Sequence, residues 1–142
     1  MNWIINPLKK YAVFSGRARR VEFWMFLAFV TLATVLGHYF DTHSTTVATV
    51  AVGMGIVELM IAIILLLPTV SLGVRRLHDT NRSGIWMLLV YLPWAATIAA
   101  PADQSLKLVT AGALLLGGGT WLILMALPGS QGNNAYGANP KR

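Results

Sequence analysis

The amino-acid sequence predicts an all-α integral membrane protein: a bundle of four transmembrane helices, preceded by a short amphipathic helix at the membrane surface. Two observations carry this prediction. Of the 142 residues, 56% are hydrophobic and only 11% are charged, whereas an average soluble domain has about 25% charged residues. In addition, four apolar segments qualify as helices that cross a hydrocarbon core of about 30 Å, although the third of them is short. In such helices the backbone groups bond within their own segment.

The sequence of residues 1–16 indicates an amphipathic helix at the membrane surface. Asn6 is a suitable N-cap and Pro7 suits the first helical position. Leu8 and Tyr11 would then share an apolar face that lies on the membrane. The alternative is a disordered basic leader.

The predicted spans follow in chain order and belong to a single membrane domain that covers residues 1–142. The first span follows a basic segment, as the core of a signal peptide does. However, it is long for such a core and no A-x-A cleavage site follows it, so we expect it to be retained. The four spans and the cytoplasmic tail after them are residues 21–40, 47–72, 85–100, 106–127 and 128–142.

The basic residues are distributed unevenly between the two sides of the membrane. Of the 11 lysines and arginines, five precede the first span, three lie between the second and third spans, and two follow the fourth. Only Lys107 falls on the opposite side. Because basic loops stay in the cytoplasm, both termini are predicted to be cytoplasmic. The net charge of +6 then reflects orientation and anionic lipid, and we expect no nucleic-acid partner.

The polar residues on the predicted cytoplasmic side form a candidate ligand site. Neighbouring helices pack about 8–10 Å apart, so arginines just outside the spans would converge. The planar guanidinium suits phosphate groups, and anionic lipid headgroups are the nearest phosphates. The expected ligand-binding residues are Arg17, Arg20, Arg75, Arg76 and Arg82, with His78, Asp79, Asn81, Asn134 and Tyr136 shaping the site.

Two other interpretations of this site stay open. In the first, the arginines only set the orientation, and Asp79 pairs with Arg75 or Arg76 at helical spacing. In the second, His78 and Asp79 are the acid–base pair of a lipid-modifying enzyme. Adjacent residues on a helix point about 100° apart, and no nucleophile or phosphate-loop motif accompanies these two. We therefore expect no catalytic residue, no bound metal and no cofactor.

Glu58 is a carboxyl near the middle of the predicted second span. A charged group at that depth costs at least about 2.5–3.5 kcal/mol. We therefore expect a neutral carboxyl that hydrogen-bonds a neighbouring helix through Thr31 or Thr120. The alternative is a small transporter or a proton or cation channel that uses Glu58.

Three segments together resemble a known family. They are FSGRARRVEFW, SLGVRRLHDTNRSGIW and GNNAYGANP, at residues 14–24, 71–86 and 132–140. They are similar to the small bacterial inner-membrane proteins of the YhaH type, the family called domain of unknown function 805, over nearly the whole chain. The resemblance implies a four-helix protein of the inner (cytoplasmic) membrane and implies no established activity.

These observations favour a non-enzymatic inner-membrane module. Its cytoplasmic face would bind anionic membrane lipid, or a protein partner such as a second copy of the chain.

Overall fold

The described part of the computed structural model consists of helices joined by turns, with irregular segments before Arg20 and after Ala126. It covers residues 2–43, 55–99 and 104–140. Sequence predictions that fall on residues 47–54, 100 and 141–142 lie outside these ranges. The helices in chain order are α1 (Ile5–Lys9), α2 (Arg20–His43), α3 (Ile56–Asp79), α4 (Leu88–Ala99) and α5 (Gln104–Ala126), with a 3₁₀ helix at Gly84–Met87 leading directly into α4.

Within the described ranges, three helices are long and apolar enough to cross a membrane: α2, α3 and α5, of 24, 24 and 23 residues. At about 1.5 Å per residue they measure about 35 Å, which exceeds a hydrocarbon core of about 30 Å. The segment Gly84–Thr97 is a shorter apolar helix. The all-α class predicted from the composition is confirmed, and the chain carries helices of membrane-spanning length.

The chain divides into two compact units. One contains Met1–Val13 and Val21–Leu72, and the other contains Phe14–Arg20 and Gly73–Arg142. The first unit therefore holds α1, nearly all of α2 and the larger part of α3. The second unit holds the segment before α2, the end of α3, the 3₁₀ helix, α4, α5 and the C-terminal segment.

In the first unit, the N-terminal segment is tied to α3. The Tyr11 hydroxyl donates a hydrogen bond of 2.6 Å to the carbonyl of Ile64. Pro68 lies four residues after Ile64 and has no N–H to offer that carbonyl. The Ser71 hydroxyl also donates to the Tyr11 carbonyl, at 3.1 Å. Tyr11 thus supplies the hydrogen bond that the proline takes away from α3.

The expected cap of α1 is wrong. The helix begins at Ile5 and its N-cap is Ile4, which makes no side-chain capping bond. The reason is that the turn starts earlier, because the Asn6 N–H already donates to the Asn2 carbonyl at 2.9 Å. Asn6 and Pro7 consequently lie inside the helix.

In the second unit, α3 continues past Leu72, where the predicted span ends, and reaches Asp79. The arginines of the motif VRRLHD therefore lie on the last turns of a helix, where cations interact favourably with the helix dipole. Asn81 ends the helix with a positive φ of 59°. The N–H groups of Asn81 and Arg82 bond back to the carbonyls of His78 and Leu77, both at 3.0 Å, which is the Schellman arrangement.

Helices α4 and α5 pack closely along each other. Pro93 provides no N–H for the carbonyl of Leu89, four residues earlier. That carbonyl lies against Gly117 of α5, where an added Cβ would overlap it. The Trp121 indole N–H also reaches the sulfur of Met87, at 3.2 Å. A glycine at position 117 is what permits this close approach.

Candidate functional site

A group of buried charged side chains lies in the second unit. It consists of Arg17, from the segment before α2, and of Arg76 and Asp79, from the last turns of α3. The exposed fractions of these side chains are 1%, 0% and 5%, respectively. We call this group the arginine–aspartate cluster.

Each oxygen of the Asp79 carboxylate accepts from a different arginine. Arg17 donates to Oδ1 through Nε at 2.9 Å and approaches the same oxygen with Nη2 at 2.8 Å. Arg76 donates to Oδ2 through Nη1 at 2.5 Å. The pairing of Asp79 with Arg76 is the i, i+3 contact that the helical spacing allowed. The cluster carries two cations for one anion, so backbone carbonyls must satisfy the remaining donors.

Those carbonyls come from the C-terminal part of the chain. Arg17 donates to the carbonyls of Ser130 and Gly132, both at 2.7 Å. Arg76 donates to the carbonyl of Met125 at 3.0 Å and to that of Leu127. Buried charges are tolerated only when they are paired and hydrogen-bonded. The C-terminal segment is therefore part of the cluster.

Asp79 also holds the C-terminal segment through its backbone. Its carbonyl accepts from the Ser130 N–H at 2.8 Å and from the Ser130 hydroxyl at 3.1 Å. Gly129 passes so close to the carboxylate that an added Cβ would overlap it. The turn that follows α5 is thus fitted around this single side chain.

His78 and Tyr136 form a second contact between α3 and the C-terminal segment. Their rings stack with centroids 3.9 Å apart and an interplanar angle of 7°. The Asn134 side-chain amide donates to the His78 carbonyl at 2.8 Å, and its oxygen accepts from the Tyr136 N–H at 2.9 Å. Nδ1 of His78 lies 3.3 Å from the Gly16 carbonyl. Both Asn134 and Tyr136 are therefore brought to the predicted site.

The expected acid–base pair is not formed. The Asp79 carboxylate is occupied by two guanidinium groups, whereas the His78 ring faces Gly16 and Tyr136. Among the described residues, no group of three or more histidine, cysteine, aspartate or glutamate side chains could hold a metal ion.

The other predicted arginines differ in exposure. Arg75 is buried, and its carbonyl accepts from the Ala18 N–H at 3.0 Å. Arg20 is exposed and makes one bond of 3.3 Å, to the Ala126 carbonyl. Arg82 is half-buried, and its guanidinium has no hydrogen-bond or ion-pair partner within the described part of the chain. Asn81 is exposed and serves to end α3.

Glu58 does not lie near the middle of a span. It is in the first turn of α3, and its N–H donates to the carboxylate of Asp41 at 2.8 Å. Its own carboxylate lies 3.1 Å from Nδ1 of His38. Thr31 bonds to the carbonyl of Leu27 in its own helix. The predicted link between Glu58 and Thr31 is therefore wrong, because depth matching assumed a helix that starts well before Ile56.

Sequence reasoning missed Gly129 and Ser130. Both belong to the Pro-Gly-Ser turn after α5, and such a turn signals only a change of direction. Since the acceptors for Arg17 are backbone carbonyls, no residue type marks them in the sequence.

These features define a class: an α-helical membrane protein with a polar, arginine-rich site at the end of one long helix. The chain belongs to the family described as "Protein of unknown function (DUF805)", whose family model matches residues 11–138. It is 32% identical to the inner membrane protein YhaI of Escherichia coli strain K12, over 99% of this chain and 97% of YhaI. It is 31% identical to the inner membrane protein YhaH of the same strain, over 99% of this chain and 98% of YhaH. No solved structure gives a significant match. The resemblance read from the three motifs is confirmed.

Proposed function

We propose that this chain is a non-enzymatic four-span protein of the bacterial inner membrane that binds anionic lipid headgroups at its cytoplasmic face. In this proposal, Arg20 and Arg82 bind the headgroup, and the buried Arg17, Arg75 and Arg76 build the scaffold beneath them. The observation that carries it is the difference in exposure: Arg17 and Arg76 direct their donors to acceptors of the chain itself, whereas Arg20 is exposed and Arg82 has donors to spare.

The fourth span would be the 3₁₀ helix together with α4. The 3₁₀ helix has 4 residues and α4 has 12. At rises of about 2.0 and 1.5 Å per residue, they measure about 26 Å together, close to the thickness of a thin bilayer core. Four spans with the basic residues on one side put both termini in the cytoplasm.

The N-terminal segment would lie on the inner leaflet of the membrane. Leu8, Tyr11 and Phe14 are exposed apolar side chains next to the exposed Lys9 and Lys10. Aromatic and aliphatic groups interspersed with lysines are typical of a segment that rests in the headgroup region of an anionic leaflet.

The two alternative functions have less support. A channel that uses Glu58 needs a titratable group deep in the membrane, and Glu58 is in the first turn of α3 with the exposed His38 as its partner. A lipid-modifying enzyme needs the Asp79 carboxylate to act together with the His78 ring as an acid–base pair. That carboxylate is paired with Arg17 and Arg76 instead.

The test is native mass spectrometry of the full chain released from nanodiscs that contain equal amounts of phosphatidylglycerol and phosphatidylcholine. We expect the wild type to retain phosphatidylglycerol preferentially, and the double variant Arg20→Gln with Arg82→Gln to lose at least tenfold of that preference. Lys107→Gln is the matched control, because it removes one exposed charge from the predicted opposite side.

Equal lipid retention by the wild type and the double variant would contradict the proposal. A discrete dimer mass, or a co-purified protein, in place of lipid would favour a partner-binding function instead.

A further inference from the structure

An apolar groove of about 540 Å³ lies on the second unit between α4 and α5. Its wall on one side is formed by the 3₁₀ helix and α4, through Ile85, Trp86, Leu89 and Pro93. On the other side it is formed by α5, through Ala113 and Gly117. The groove is open to the surroundings of the chain, since Ile85 is 66% exposed and Trp86 42% exposed.

The groove exists because small residues of α5 face a proline-containing helix. Ala113 and Gly117 lie one turn apart on α5 and carry little or no side chain. Pro93 stands opposite them and leaves the Leu89 carbonyl without its usual helical donor. The resulting hollow is open and almost entirely apolar, which suits a hydrocarbon chain.

Arg20 and Arg82, the exposed and the half-buried arginine of the proposed function, lie towards one end of this groove. Met87 contacts Trp121 and Leu89 contacts Gly117, so α4 and α5 run in opposite directions. The C-terminal end of α5 is therefore level with the residues just before the 3₁₀ helix. Arg82 is three residues before Ile85, and Arg20 bonds to Ala126, the last residue of α5.

We infer that this groove holds one acyl chain of an anionic glycerophospholipid whose phosphate lies at the Arg20 and Arg82 end. The charge at one end and the apolar hollow beyond it match the two parts of such a lipid. Trp86 lines the groove and follows Arg82 by four residues, and an amphipathic ring is favoured at the boundary between headgroup and hydrocarbon. This inference rests on the proposed function and adds to it the position of the lipid's acyl chain.

The test uses phosphatidylglycerol that carries a photoactivatable diazirine in the middle of one acyl chain, incorporated into nanodiscs with the full-length protein. We expect crosslinks in the peptides that contain residues 85–93 and 113–117. Ala113→Phe fills the groove and is expected to lower the crosslink yield at least fivefold. Ala111→Phe is the matched control, because Ala111 is an exposed alanine of the same helix that does not line the groove.

The possible failures are distinguishable. Crosslinks elsewhere, or equal crosslink yields in Ala113→Phe and the wild type, would refute the groove as the site of the acyl chain. This holds even if Arg20 and Arg82 still select anionic lipid. A phosphatidylcholine probe could instead crosslink to the groove as well as the phosphatidylglycerol probe does. If the double variant Arg20→Gln with Arg82→Gln also leaves the yield unchanged, that result overturns the proposed function and the anionic nature of the ligand. A dimer that Ala113→Phe dissociates would show that a second copy occupies the groove, and would overturn the lipid as its occupant.

Discussion

The two units each contain a polar cluster built around an aspartate, and the two clusters differ in burial. In the second unit, Asp79 is 5% exposed between Arg17 and Arg76. In the first unit, Asp41 accepts from the N–H groups of Val57 and Glu58 at the start of α3, at 3.1 and 2.8 Å. Beside it, His38 meets Glu58 with side chains that are 61% and 19% exposed.

This difference determines how much each carboxylate contributes to stability. Water can replace the partners of the Asp41 group when one of them is lost. The side chains of Arg17 and Arg76 are only 1% and 0% exposed, so the loss of Asp79 leaves two buried charges without their carboxylate. The same exchange of aspartate for alanine at the two sites is therefore the most direct test of the comparison.

The largest effect is expected for Asp79→Ala. Removing one partner of a buried ion pair costs about 3–5 kcal/mol, and here one carboxylate serves two arginines. The measurement is the free energy of unfolding in mixed micelles, followed by circular dichroism at helical wavelengths. A loss below about 1 kcal/mol, the range of an exposed pair, would show that the cluster is hydrated.

A smaller loss is expected for Gly129→Ala. The added Cβ would overlap the Asp79 carboxylate, which cannot swing away because Arg17 and Arg76 hold both of its oxygens. Such overpacking costs about 1–3 kcal/mol. The control is Gly118→Ala, where no atom lies within 4 Å of the added Cβ. In the same unfolding assay, the control should be as stable as the wild type or more stable. An equal loss of unfolding free energy in both variants would refute the close packing of Gly129 against Asp79.

Although Asp41 belongs to α2, its carboxylate accepts from two N–H groups in the first turn of α3, as the side chain of an N-cap would. Asp41→Ala is therefore expected to cost about 0.5–2 kcal/mol, the usual value of a lost helix N-cap. Asp41→Asn keeps an acceptor and should retain most of that stability, since asparagine caps nearly as well. The hydrogen-exchange rates of the Val57 and Glu58 amides measure the loss of protection at the start of α3. If the asparagine variant exchanges as fast as the alanine variant, charge rather than capping is what Asp41 supplies.

The smallest effect is expected for His38→Gln. Exposed ion pairs contribute at most about 1 kcal/mol, and glutamine still offers a donor to Glu58. Unfolding of this variant should match that of the wild type within that limit. A loss as large as that of Asp79→Ala would mean that the two clusters do not differ in the way their burial indicates.

Sequence patterns over neighbouring residues predicted much of the fold and one contact of the site. Hydropathy alone identified the long helices, and helical spacing offered the contact between Arg76 and Asp79. The position of Glu58 could not be predicted, because an apolar run of residues does not reveal where within it a helix begins. The acceptors of Arg17 were equally inaccessible, since they are main-chain carbonyls far along the sequence.

The distance in sequence between Arg17 and its acceptors has a consequence for how the protein is made. Gly132 follows Arg17 by 115 residues. At a synthesis rate of about 5–20 residues per second, the ribosome needs roughly 6–23 s to make that stretch. Until the C-terminal segment has been made, the Arg17 side chain has none of these acceptors. The segment that carries Arg17 can therefore complete its contacts only when translation is nearly complete.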